Sequence, residues 1–199
     1  NVTDRVITME WAGISSATEI IAENKTADYH TYGTLTEKAY GYKKIIYKNA
    51  YPGIDIVYSF TQNKKPGFEY SLIVRPGADI GLVKIKYGGD IKFFKTDAKG
   101  NLVVKSGIDG ISISIPISYY GENLQSKNVA DINTNFKIDG TEISFSFPQG
   151  YDKTKAIVID PFVSSTGSLS GLNAGKAKDV DFDYAGNIYV TGGGSQASP

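Results

Sequence analysis

The chain has 199 residues, with 21 Lys and Arg against 21 Asp and Glu, so its charge points to neither nucleic acid nor an anionic membrane surface. With no cysteine and one histidine, a disulfide framework, a thiol nucleophile and a Cys/His zinc site are excluded, and any Ser–His–acid triad has only His30 to use. No run of 18 apolar residues is present to form a membrane-spanning helix, and a hydrophobic content of 41% suffices for a packed core.

In chain order, short apolar or alternating runs read as strands over Arg5–Trp11, Tyr42–Tyr47, Ile54–Phe60, Phe68–Val74, Leu82–Tyr87 and Ile91–Phe94. Further runs follow at Leu102–Lys105, Ile111–Ile115, Thr141–Phe147 and Ala156–Ile159. Ile111-Ser112-Ile113-Ser114-Ile115 and Ile143-Ser144-Phe145-Ser146-Phe147 alternate cleanly, so each buries one face and wets the other. Pro52-Gly53 and Pro76-Gly77 suit type II turns, where a fixed φ precedes a residue tolerant of positive φ. Asp97-Ala98-Lys99-Gly100-Asn101 reads as a tight hairpin connection. No long stretch carries a 3.6-residue apolar period. The expectation is an all-β, multi-stranded antiparallel, sandwich-like domain.

Composition changes after Pro161. The strands before it are bulky and aromatic, whereas Val163 to Pro199 is rich in Gly, Ser, Ala and Thr and holds one strong hairpin near its end. A domain boundary is therefore placed at Ile159-Asp160-Pro161, where proline disfavours further ladder pairing. This gives a domain over 1–160 and a second region over 161–199 that cannot enclose a core alone. Asp97-x-x-Gly100-Asn101-Leu102-x-Val104 is echoed by Asp183-x-x-Gly186-Asn187-Ile188-x-Val190. One stable hairpin turn used twice explains the echo, and a propeller-like repeat is the alternative.

Three groups of residues carry candidate chemistry. Asp179-x-Asp181-x-Asp183, followed by Gly186-Asn187, has the oxygen-rich look of a calcium loop. It lacks the glycine after the third acid and the closing glutamate of an EF-hand, so a solvated strand face is favoured and calcium is the alternative. His30 alternates with Asp28 beside Tyr29 and Tyr32, but no nucleophile elbow is present, and a structural histidine is favoured. The tyrosines, as Tyr29, Tyr32, Tyr40, Tyr42 and Tyr47 or as Tyr119-Tyr120, would serve either as a platform for sugar rings or a protein partner, or as ordinary strand formers. Glu10, Glu19, Glu37, Glu69, Glu122 and Glu142 fall in no recognisable catalytic motif. Asp55, next to a turn, reads as a turn-bonding acceptor.

The stretch Tyr47-Lys48-Asn49-Ala50-Tyr51-Pro52-Gly53-Ile54-Asp55-Ile56-Val57-Tyr58 is the most distinctive in the chain. With Phe68-Glu69-Tyr70-Ser71-Leu72-Ile73-Val74-Arg75-Pro76-Gly77-Ala78-Asp79, it resembles the N-terminal all-β domain of large bacterial surface proteins that is followed by SBBP-type beta-propeller repeats. Within that resemblance, Ile159-Asp160-Pro161 looks like the junction, and Asp183-x-x-Gly186-Asn187-Ile188-Tyr189-Val190-Thr191-Gly192 looks like the core of one repeat. Asp179 and Asp181 stand where such repeats usually have small or apolar residues. The resemblance implies an exported protein, often from Bacteroidetes, secreted or held at the cell surface, with no enzymatic activity in this module and no cofactor.

Together these readings give a non-enzymatic structural or adhesion-associated module whose partners are other domains of the same larger chain and an extracellular glycan or surface protein. Nucleic acid and membrane insertion are not expected. The alternatives are a carbohydrate-binding module using exposed tyrosines, and an accessory region of a larger extracellular hydrolase.

Overall fold

The computed structural model describes residues 6–31, 38–60, 67–106, 109–124, 132–165, 176–182 and 188–193, the last two stretches by their backbone. Sixteen strands run through them: β1 (Ile7–Ala12), β2 (Glu19–His30), β3 (Ala39–Tyr51), β4 (Ile54–Ser59), β5 (Phe68–Val74), β6 (Lys84–Gly89), β7 (Phe93–Thr96) and β8 (Leu102–Ser106). These are followed by β9 (Asp109–Ile113), β10 (Ile117–Tyr120), β11 (Asn135–Asp139), β12 (Glu142–Ser146), β13 (Ile157–Asp160), β14 (Phe162–Ser165), β15 (Lys176–Phe182) and β16 (Ile188–Gly193). A 3₁₀ turn at Ile80–Leu82 is the helical element among the described residues.

The strands form a four-stranded sheet in the order β1-β6-β12-β11 and a ten-stranded sheet running β2-β3-β4-β5-β14-β9-β8-β7, with β13 lying between β5 and β10. The all-β, antiparallel, sandwich-like architecture expected from the alternating runs is what the chain adopts. Alternation explains the packing, because every second side chain shares a face. Met9 and Trp11, Ile85 and Tyr87, Ile143 and Phe145 of the small sheet pack in one core with Ile54 and Ile56, Tyr70, Leu72 and Val74, and Ile157 and Ile159 of the large one. Trp11 ties the layers together. Its ring meets Tyr70 edge-on with centroids 5.4 Å apart, and its indole N–H donates to the Tyr58 hydroxyl.

The large sheet runs through the junction expected at Pro161. β13 pairs with β5 from Ile157 opposite Val74 to Ile159 opposite Leu72, and β14 resumes in the same register with Phe162 opposite Glu69 and Val163 opposite Phe68. Proline removes one donor from the ladder, but the neighbours take over the bonding. Ser71 Oγ donates to Asp160 Oδ1 at 2.7 Å, and the Phe162 N–H donates to Ser114 Oγ at 2.9 Å. On the far side β10 pairs with β13 and β9 with β14, and the Ser114 N–H reaches the Phe162 carbonyl at 2.8 Å. Pro161 thus separates β13 from β14, yet ladder pairing resumes beyond it in the same register, contrary to the sequence-based expectation. Residues 162–165 belong to the large sheet, where Val163 is only 4% exposed.

β2 was not anticipated from the sequence. Among the described residues it is an edge strand paired only with β3, and Glu19-Ile20-Ile21-Ala22-Glu23-Asn24 offers no buried alternating face; Ile20 is 54% exposed. The Asp-x-x-Gly-Asn turn at Asp97 is closed as expected. Its carboxylate accepts the Lys99 and Asn101 backbone N–H groups at 2.8 and 3.0 Å and the Asn101 amide at 2.8 Å. Those bonds, the Asn101 side chain first, hold the carboxyl below the usual aspartate range. β15 and β16 pair with each other as a separate two-stranded sheet.

The core is rich in tyrosine, and this gives the fold an alkaline limit. Burial pushes the Tyr51 and Tyr119 hydroxyls up to about 12 and raises those of Tyr58, Tyr70 and Tyr87 as well. The unfolded chain gives up these protons near pH ~10 and the folded chain does not, so ionisation favours unfolding above that pH. Stability is therefore expected to be unaffected by these groups below about pH 10 and to fall steeply between about pH 10 and 12. Denaturant midpoints taken across that range should drop, and the share of tyrosinate absorbance due to the buried tyrosines should appear together with the loss of β-sheet circular dichroism, after that of exposed rings such as Tyr29. Ionisation of the full tyrosine complement in a still-folded chain would contradict this.

Candidate functional site

The two stretches that carry the family resemblance meet at one end of the large sheet. β3 and β4 lose register between Tyr47 and Tyr51, and the extra residues form a bulge in which Asn49 has φ +52°. Asn is one of the few residues that adopt this left-handed conformation readily. Asp55 holds the bulge from the opposite strand, accepting the Asn49 N–H at 2.7 Å. Arg75, at the end of β5, clamps the same carboxylate with Nη1 at 3.1 Å and Nη2 at 2.6 Å, and Nη1 also reaches Asn49 Oδ1 at 3.1 Å. Asp55 is thus the acceptor its position suggested, serving a bulge as well as an ion pair. Its carboxylate is fully engaged in holding the fold.

A groove of about 200 Å³ opens elsewhere on β3, β4 and β5, lined by Tyr40, Tyr42, Tyr47, Tyr58, Phe60 and Phe68 with Lys43 and Lys44. Sheet register builds it. Ile45 pairs with Tyr58, Tyr47 with Ile56, and the Phe60 N–H bonds to the Lys43 carbonyl, so the face that carries Ile56 in the core continues outward as rings. Tyr47, Tyr58 and Phe68 form a row across the three strands with centroids 5.8 and 6.2 Å apart. Tyr58 is the hinge of the arrangement: its hydroxyl accepts the core indole of Trp11 while its ring lines the groove. Phe60 at the rim is 52% exposed.

The lysines around the groove differ in what they contact. Lys44 Nζ sits 2.9 Å from Glu23 Oε2, and Lys25 Nζ stands 3.2 Å from the centroid of the Tyr40 ring. Lys43 is exposed at the groove.

Of the tyrosines marked out by the sequence, Tyr40, Tyr42 and Tyr47 come together here, and Tyr29 stacks beside Tyr40 with centroids 5.9 Å apart. Tyr32 lies outside the described residues. Tyr119 is buried and Tyr120 accepts the Asp152 N–H at 2.8 Å, so that pair is part of the packing instead of a platform. Tyr58, Phe60 and Phe68 were not singled out. The alternation of Ile54–Phe60 does place Tyr58 and Phe60 on one face, but that they line up with β3 and β5 needs the register.

His30 is at the end of β2, exposed and opposite Ala39. Asp28 is exposed on the same strand. Glu142 pairs with Lys84 at 2.7 Å, and Glu10 and Glu19 lie on β1 and β2, opposite Lys86 and Lys48. Glu37 and Asp183 lie outside the described residues. Asp179 and Asp181 are two apart on β15, opposite Thr191 and Tyr189. β15 and β16 close with Phe182 opposite Ile188, the register in which Thr96 faces Leu102 around the Asp97 turn. Among the described residues no group of three His, Asp or Glu is placed to hold a metal.

A family model described as "Domain of unknown function (DUF7948)" matches residues 2–162. No curated protein and no solved structure matches the chain. The matched span runs from before β1 to the first residue of β14 and so takes in both sheets of the sandwich together with the ring-lined groove, and the chain belongs to the DUF7948 family.

Proposed function

We propose that this chain is a non-enzymatic structural and adhesion-associated module of a larger secreted or cell-surface protein, with the ring-lined groove as its contact surface. The observation that carries the reading is the row Tyr47, Tyr58 and Phe68 ending at half-exposed Phe60. A sheet whose core face continues into solvent as aromatic rings leaves apolar area that a partner can cover, and such patches mark interaction sites. The Trp11–Tyr58 bond and the Asp55–Arg75 clamp hold that surface on a rigid frame, which suits display better than a chemical step. The strand pair β15–β16, and the motif it carries, support a following beta-propeller region in the same chain.

The test is binding of the full chain to a panel of extracellular glycans and surface proteins, read by the fluorescence of Trp11, the single tryptophan, which touches the groove wall through Tyr58. Phe60→Ser should weaken every ligand that binds by about tenfold or more while leaving the melting temperature within a few degrees. Binding that is indifferent to Phe60→Ser, or absent across the panel, would count against the groove as the contact surface.

A further inference from the structure

Resting on the groove being a contact surface, we infer that its ligand is a carboxylate-bearing sugar ring, such as a uronate unit of an acidic polysaccharide. The wall is aromatic, and rings of this kind stack on the C–H faces of a pyranose while tyrosine hydroxyls supply hydrogen bonds. Four tyrosines, Tyr40, Tyr42, Tyr47 and Tyr58, line it with Phe60 and Phe68. The charge is one-sided. No Asp or Glu belongs to the lining, Lys44 is engaged by Glu23, and among the described residues no carboxylate pairs with the exposed Lys43. An aromatic wall with an unneutralised ammonium is complementary to a ring that carries an anion.

Size argues for a single ring. At about 200 Å³ the groove falls short of the roughly 300–1,000 Å³ that encloses a drug-sized ligand, so it holds about one ring. β4 and β5 are paired on both sides, whereas Tyr40–Tyr42 of β3 run past the end of β4 and, among the described residues, pair with β2 alone, so strand addition by a peptide is an outcome the titration must separate from sugar binding. Recognition rests on rings, hydroxyls and the Lys43 ammonium.

The experiment titrates the full chain with oligogalacturonate and with its methyl ester, which keeps the ring and removes the anion, using Trp11 fluorescence and calorimetry. The acid is expected to bind at least about tenfold tighter than the ester, with the advantage shrinking as salt is raised. Lys43→Gln should bring the acid down to the level of the ester, and Phe60→Ala should weaken both, with melting temperatures confirming that each variant folds. Equal binding of acid and ester would overturn the charge assignment. Binding of neither, where a surface protein still depends on Phe60, would overturn the sugar and leave the contact surface standing. Absence of any Phe60-dependent binding, to sugar or to surface protein, would instead remove the reading on which this inference rests.

Discussion

Ended at Asp160, the chain is expected to lose cooperative unfolding, whereas ended at Ser165 it should keep it. Residues 162–165 form the strand wedged between β5 and β9, with Val163 in the core. Removing them exposes the Phe68–Glu69 end of β5 and the Ile111–Ile113 edge of β9, and leaves a hole where Val163 sat. The hydrogen bonds lost contribute about 0.5–1.5 kcal/mol each, and burial of a valine adds about 1.5–3 kcal/mol. The sum approaches the net stability of a domain, roughly 5–15 kcal/mol, so the shortened chain should be molten or aggregated instead of merely weaker. Gly67 makes the same point from the other side. It has φ +144°, and a Cβ there would run into the Val163 carbonyl, so the backbone is shaped to receive β14. Circular dichroism melts and denaturant titrations of the two lengths decide the matter. Equal midpoints would show that β14 is dispensable.

The second large effect is expected at the clamp between the two distinctive motifs. Arg75→Ala should cost about 2–3 kcal/mol, because it leaves the Asp55 carboxylate, only 8% exposed, with the Asn49 N–H and little else. In a chain of this size that corresponds to a melting shift of roughly 5–10 °C. Asp55→Ala should cost as much, since it frees both the Asn49 N–H in its left-handed bulge and the guanidinium. The double variant should cost less than the two added together, because each single change already breaks the same fork. Arg75→Lys should recover only part of the loss, as an ammonium cannot reproduce two parallel bonds. Strict additivity in the cycle would mean that the two residues act separately and that the clamp does not hold the bulge.

Strands with their own pattern were legible in the sequence. Phe68–Val74 was delimited to the residue, and the alternating runs at Ile111 and Ile143 lie on strands that bury one face, because a period of two is a local property of the backbone. The turn at Asp97 was legible for the same reason: its carboxylate bonds to groups two and four residues away. β2 was not, since an edge strand needs only one neighbour and no buried face, and its sequence is free to be polar. Pro161 misled because proline's rule concerns its own missing donor, and the rescue comes from Ser114, a residue 47 positions earlier that bonds across the gap through the Phe162 N–H.

By itself the sequence determined that this protein would be built of antiparallel pleated layers with Pro-Gly and Asp-x-x-Gly-Asn turns, and that its strands would be rich in tyrosine. Which acid meets which base, and which rings meet at all, was decided by tertiary structure. Asp55 and Arg75 are brought together by the pairing of β4 with β5, and Tyr47, Tyr58 and Phe68 share a groove because three strands are locked in one register. Register is set by the sum of contacts across the sheets, and a shift of one residue would send every one of these side chains to the opposite face.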